Sequence, residues 1–349
     1  MSNDPNTPNN WETKERRPEH RRDPEVERTL SLLNTHLHDS RSTLVRPAEP
    51  SMPVLFIVGC ARAGSTILFQ SLAHSGQFAY PTNLMSRFYR DPYFGAMVHR
   101  LLYDLDHQRE IFSDEARVLE FKSRLGRSQG AAAPHDFGYF WRNYYTFGTT
   151  QSELLRAPSL EEVRALVSDV AGIESVFARP VLLKGMEMNW HIPTIRALFP
   201  NSIFLFNHRE ILHNAMSILD ARRSYSGDEN AWYSYKPTEF DQIKELPAWE
   251  QVVAQVWLTE RAVQQGSAGI PTSDFLDISY EDLCREPEAV HTRIYTRLNL
   301  NAKYQGPISF QGPEKAIPNT LSDRADALID KLRSGDFDLE MGDPVDSEG

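Results

Sequence analysis

Val54-Leu55-Phe56-Ile57-Val58-Gly59-Cys60-Ala61-Arg62-Ala63-Gly64-Ser65-Thr66 reads as a short apolar strand, a glycine-bounded loop and the polar start of a helix. An apolar run without alternation marks a strand buried on both faces, as in a parallel sheet covered by helices. The spacing from Gly59 to Gly64 matches GxxxxGK(S/T), whose backbone N–H groups wrap a phosphate at a helix N-terminus. Ser65 stands where nucleoside triphosphatases carry lysine, so no ammonium in this loop reaches terminal phosphates. Arg62, inside the loop, instead puts a guanidinium beside a nearer 5′-phosphate. The combination points to a phosphorylated nucleotide used for something other than phosphoryl transfer. Glycines in strand-to-helix turns also serve conformation alone, so a second anion site is required.

Outward from this stretch, apolar runs at 54–58, 181–184, 202–206 and 275–279 alternate with helical stretches at 65–75, 84–106, 159–176, 190–199, 210–222, 247–265 and 281–298. That alternation predicts an α/β fold of three layers around a central parallel sheet, P-loop-NTPase-like, with a large helical insertion at about 80–178. Ligands in such sheets bind at the carboxyl ends of strands, where residues 59–66, Lys184 and His208-Arg209 all fall. Asp23-Pro24-Glu25 starts a helix, and Val26, Leu30, Leu33 and Leu37 then share a face. Four segments are expected: a disordered tail over 1–22, an N-terminal helix and linker over 23–50, the main domain over 51–335 and an acidic tail over 336–349. Arg16, Arg17, Arg21 and Arg22 interleave with Glu12, Glu15 and Glu19 and read as part of the solvated tail.

The 349 residues carry a formal net charge of −11, and six carboxylates lie beyond Arg333 with no compensating base. No basic face for nucleic acid is evident, so a nucleotide site must be a local pocket of arginine and lysine in a repelling field. Cys60 and Cys284, the two cysteines present, form neither a disulfide framework nor a zinc motif, and suit a reducing compartment. No stretch approaches the ~20 apolar residues of a membrane helix, and the N-terminus lacks the apolar core of a signal peptide. The expectation is a cytoplasmic protein with no membrane span and no metal.

The second anion site follows a strand. Ser202-Ile203-Phe204-Leu205-Phe206-Asn207-His208-Arg209 ends in arginine, and Ser217 follows a little over two helical turns later, so both side chains can converge on one phosphate. Arg209 could equally pair with Glu210 or Glu187, and Ser217 could bond back within its helix. With GCARAGST at 59–66, FLFNHREILHNAMS at 204–217 and SYEDLCREP at 279–287, the chain resembles the sulfotransferases that use 3′-phosphoadenosine 5′-phosphosulfate (PAPS).

The resemblance implies that Arg62, Ala63, Gly64, Ser65 and Thr66 hold the 5′-phosphosulfate, that Arg209 and Ser217 bind the 3′-phosphate, and that Tyr280 sits close to the nucleotide. Glu210-Ile211 stands where the family carries aspartate-proline. Lys315 and Arg324 are the basic residues on offer for a further C-terminal contact. Transfer would be an in-line displacement to a small-molecule, glycan or lipid acceptor, driven by positioning and by neutralising charge on the bridging oxygen. Lys184, 25 residues before Arg209, matches the family position for the second cation.

The acceptor proton needs a base. His135 comes first, with Asp136 to orient it; Glu187 follows, then His191. The aromatics Phe88, Tyr89, Tyr93, Phe94, Tyr139, Phe140, Trp141, Tyr144 and Tyr145 crowd the insertion, mostly as core, and any that face the cleft would favour a ring-bearing or partly apolar acceptor. The alternatives are a P-loop small-molecule or nucleotide kinase, which needs a loop lysine and a strand-end aspartate of which Asp277 is the nearest match, and a catalytically idle nucleotide-binding protein.

Overall fold

In a computed structural model that describes residues 16–113, 121, 123–124, 126–310 and 316–335, four strands form one parallel sheet. They are β1 (Leu55–Val58), β2 (Leu182–Lys184), β3 (Ile203–His208) and β4 (Phe275–Ser279), in the order β2-β1-β3-β4. Leu55 pairs with Leu182 on one side and Ile203 on the other, so β1 is central, which is why its four residues are all apolar and all buried. Successive side chains point to opposite faces. Leu55 and Ile57 join Leu68, Phe69 and Leu72 of the helix Ser65–His74 and Ile294 of the helix Pro287–Arg297. Phe56 and Val58 join Phe140, Trp141 and Ile173 from the insertion. The fold is three-layered α/β of the P-loop-NTPase-like kind. A further apolar cluster binds the helices Ile211–Tyr225, Ala248–Gly266 and Asn319–Ser334 together beside it.

Two long expected helices are each broken by a proline. The stretch 84–106 divides into a short turn at Met85–Phe88 and a helix at Pro92–Tyr103, and 281–298 divides into Tyr280–Arg285 and Pro287–Arg297. Pro92 lacks the N–H that an ongoing helix would need, but suits a first turn. Asp91 then caps the new helix, its carboxylate accepting from the Phe94 amide at 3.0 Å. The insertion also carries the helices Gly138–Tyr144 and Leu160–Phe177, the latter opened by a reciprocal Ser159–Glu162 capping box.

The N-terminal helix runs from Pro24 to Ser40 behind an Asp23 cap, as expected, but its buried face is rotated so that it keeps Leu30 and the partly buried Leu37 of the expected four. Leu30 and Asn34 are buried, whereas Val26 and Leu33 face solvent. Polar anchors set the rotation. The Asn34 amide donates to the Arg87 carbonyl at 2.9 Å and accepts from the Arg90 amide at 3.0 Å. Beyond the helix, Arg41 grips Asp169 at 2.7 and 3.0 Å and Arg46 reaches it at 3.3 Å. Of the segment expected as a tail, residues 1–15 lie outside the described residues, as do Lys315 and 336–349. Residues 16–20 pack on the end of the helix Ile211–Tyr225: Arg17 N donates to Tyr225 O at 3.1 Å, His20 stacks on the Tyr225 ring and Arg16 is buried.

Asp169 is fully buried and also accepts from Tyr144 OH at 2.6 Å. Asp169→Ala leaves the Arg41 and Arg46 guanidinium groups without this carboxylate and is expected to cost about 3–5 kcal/mol, read from urea denaturation. A loss below about 1 kcal/mol would mean that this network does not hold the N-terminal helix to the domain.

Candidate active site

The loop after β1 is shaped by close backbone approaches. Gly59 has φ +133°, and a Cβ there would lie 2.1 Å from the Asn207 carbonyl oxygen of β3. Buried Asn189 clamps the same residue, accepting from Gly59 N at 3.1 Å and donating to Gly59 O at 2.8 Å. Asn214 holds the next turn through Ala61 O at 3.0 Å. Gly64, at φ +94°, faces Tyr280 so closely that a Cβ would stand 2.2 Å from the ring. It also occupies the N-cap of the helix Ser65–His74, which has no side-chain cap. The first amides of that helix are therefore open to an anion.

Around this loop lies a cavity of about 650 Å³. Arg62, Gly64, Ser65, Thr66, Lys184, Arg209, Ser217 and Tyr280 all line it, so the residues expected at the two anion sites share one cleft except Ala63, which is fully buried and does not line it. Arg62 Nε donates to Ser217 Oγ at 3.3 Å, bridging the loop to the helix after β3. The Arg209 guanidinium carbon lies over the Tyr280 ring, 4.5 Å from its centroid, and the group pairs with neither Glu210 nor Glu187 among the described residues. Its buried Nε has no hydrogen-bond partner among them. A buried cationic N–H without a partner is costly and fits an anion bound there. Glu210, in place of the family's aspartate, caps its helix by accepting from Leu212 N and His213 N at 3.0 and 2.8 Å. Arg324 is held by Glu250, and Asp277 by His208 at 2.6 Å.

Lys184 ends β2 with its side chain almost wholly buried. Its Nζ donates to Asp136 Oδ1 at 2.7 Å and lies 3.4 Å from Thr66 Oγ1, joining the phosphate loop to the insertion. Asp136 lines the cavity and is half-exposed to it. The three base candidates drawn from sequence lie elsewhere. His135 Nδ1 accepts from the Phe137 amide at 2.9 Å, its pKa is pushed down to about 4 by burial, and it is not among the lining residues. Glu187 sits behind the wall, pushed up by burial against the pull of Arg142, which donates to it at 2.7 Å. His191 is occupied by the Gln151 carbonyl at 2.7 Å.

Several lining residues were not anticipated: Arg16, Arg127, Arg142, Tyr233, Tyr235 and Lys236. The aromatic and hydroxyl-rich run at 232–236 was the one available sequence signal; nothing local distinguishes Arg16 or Arg127. Of the insertion aromatics named above, all but the partly buried Phe88 and Phe94 belong to or pack against the core, and none lines the cavity, whose rings come from Phe147, Tyr225, Trp232, Tyr233, Tyr235 and Tyr280 instead.

The family model described as "Sulfotransferase family" matches residues 53–304. No curated protein matches. Among solved structures, the sulfotransferase STF9 from Mycobacterium avium aligns over 96% of this chain and 89% of its own, at 15% identity and a TM-score of 0.56. The sulfotransferase STF1 from Mycobacterium tuberculosis H37Rv aligns over 89% of this chain and 79% of its own, at 14% identity and a TM-score of 0.48. The sulfotransferase domain from the Synechococcus PCC 7002 olefin synthase aligns over 84% and 98%, at 16% identity and a TM-score of 0.41. The STF9 likeness is one of fold. By the extent of the family match, the chain belongs to the sulfotransferase family.

Proposed function

We propose that this sulfotransferase takes its sulfuryl group from PAPS and transfers it to a hydroxyl or amine of a small-molecule, glycan or lipid acceptor, with residues 51–335 as the transferase domain and the cytoplasm as the site of action. The observation that carries this reading is the single cleft shared by an uncapped helix N-terminus and a buried arginine with an unpartnered N–H. A nucleotide with phosphates at both its 5′ and 3′ positions suits that pairing. The amides of residues 62–66 and the Arg62 guanidinium hold the 5′-phosphosulfate, and Arg209 and Ser217 hold the 3′-phosphate. Tyr280 spaces the two sites by packing on both Gly64 and Arg209.

Asp136 is the proposed base because, of the candidates, it alone lines the cavity. Its carboxylate takes the proton as the acceptor oxygen attacks sulfur and the bond from sulfur to the 5′-phosphate oxygen breaks. Lys184 Nζ, placed between Asp136 and Thr66, neutralises charge growing on that leaving oxygen. No helix among the described residues is long and apolar enough to cross a membrane.

Calorimetry should show adenosine 3′,5′-bisphosphate binding at least about tenfold more tightly than ATP, and Arg209→Met should remove most of that preference. Tight ATP binding without bisphosphate affinity would favour the kinase alternative. Asp136→Asn is expected to lower turnover by about 10²–10⁴ while sparing bisphosphate affinity. His135→Ala should cost less than about tenfold; the opposite order would return the role of base to the histidine.

A further inference from the structure

Donor binding as proposed uses Arg62, Lys184 and Arg209, yet the same cavity is lined by four more cations, Arg16, Arg127, Arg142 and Lys236, against Asp136 as the lining carboxylate. This cationic cleft sits in a chain of net charge −11. Arg142 is neutralised from behind by Glu187. Arg127 belongs to the donor side, because the neighbouring Gly126 carbonyl accepts from Thr66 Oγ1 at 3.2 Å. Lys236 is different. Its ammonium lies over the Phe240 ring, 4.4 Å from the centroid, and no carboxylate is within ion-pair distance among the described residues.

Its backbone is fixed. Lys236 N donates to Gln151 Oε1 at 2.7 Å, and its carbonyl accepts from Gln151 N at 3.3 Å. This seam ties the 232–236 segment to the loop carrying Phe147 and Thr149, and together they wall the cavity. The adjoining Tyr235 also lines the cavity, and Arg142 of the insertion packs over the Phe147 ring of the same wall, 5.8 Å from its centroid. Lys236 is thus bonded to the wall built from the insertion, the part of the chain that also carries Asp136, and the acceptor must sit near that carboxylate for its proton to be taken. A positioned ammonium without a protein counter-ion gives that lobe a field that favours negative charge.

Resting on the reading of the previous section, we propose that the acceptor carries, besides the group that is sulfated, a singly charged anionic group such as a carboxylate, and that Lys236 holds it. One ammonium suits one such charge. The aromatic walls contributed by Phe147 and Tyr235 accommodate the body of the molecule. Lys236 is a specificity-determining contact, with no part in the transfer step itself.

The test is equilibrium binding to the full chain saturated with adenosine 3′,5′-bisphosphate. The probes are 4-hydroxyphenylacetate and glucuronate, each against its neutral methyl ester. At least one acid should bind about tenfold more tightly than its ester, the scale of one charge-assisted hydrogen bond. Lys236→Met should bring that pair within about twofold, and Lys236→Arg should restore the difference. Donor affinity should move by less than about twofold in both variants. No acid outbinding its ester, a preference that survives Lys236→Met, or weaker bisphosphate binding in that variant each overturns the proposal while leaving the donor reading intact. Failure of the wild-type chain to bind the bisphosphate removes the donor reading and this proposal together.

Discussion

The missing side chain at position 64 is the constraint on which the site depends. Tyr280, just after β4, lies where any Cβ on Gly64 would collide with it, and Arg209, just after β3, has its guanidinium carbon over the same ring. A parallel sheet places the carboxyl ends of its strands along one edge, so the loop after β1, the arginine after β3 and the tyrosine after β4 are brought together by topology alone. Contact between them then sets the spacing. Gly59 makes the same point one turn earlier, where the loop crosses the Asn207 carbonyl with no room for a side chain. Both glycines also have positive φ, so two independent demands fix the same residue type.

Electrostatics completes the site. Burial keeps His135 neutral with its Nδ1 already occupied, and it pushes Glu187 up while Arg142 holds it in the wall. Asp136 differs from both in being open to the cleft and tied to a lysine that also reaches the phosphate loop. The pair therefore spans the two halves of the proposed reaction, proton removal on one side and leaving-group charge on the other. An arrangement of this kind performs transfer chemistry through placement of fixed charges, which is where most of the rate advantage of such sites resides.

Much of this was legible in the chain because it is local. All four strands begin within a residue of their expected starts, since each is a short apolar run bounded by turn residues or prolines, and the phosphate loop declares itself by its glycine spacing. The departures have separate causes, one tertiary and the others local. The rotation of the helix Pro24–Ser40 is decided by Asn34 bonding to residues some fifty positions away, which overrides a leucine stripe. The proline breaks at 92 and 287 were readable in principle, but helical periodicity continues across both and masks them. His135 has the more suitable intrinsic chemistry, but its Nδ1 is taken by the amide of Phe137, two residues on, and it does not line the cavity. Lys236 enters the cleft from a loop and Arg127 from a two-residue strand, where no pattern reports direction.

The central claim is that one adenosine nucleotide spans the loop and the Arg209–Ser217 pocket. The most direct measurement is a crystal structure of the complex with adenosine 3′,5′-bisphosphate. The 5′-phosphate should lie on the amides at the start of the helix Ser65–His74, with the 3′-phosphate between Arg209 and Ser217. A bisphosphate bound at the loop with its 3′-phosphate in solvent, or bound with Arg209 still stacked and uninvolved, would contradict the account.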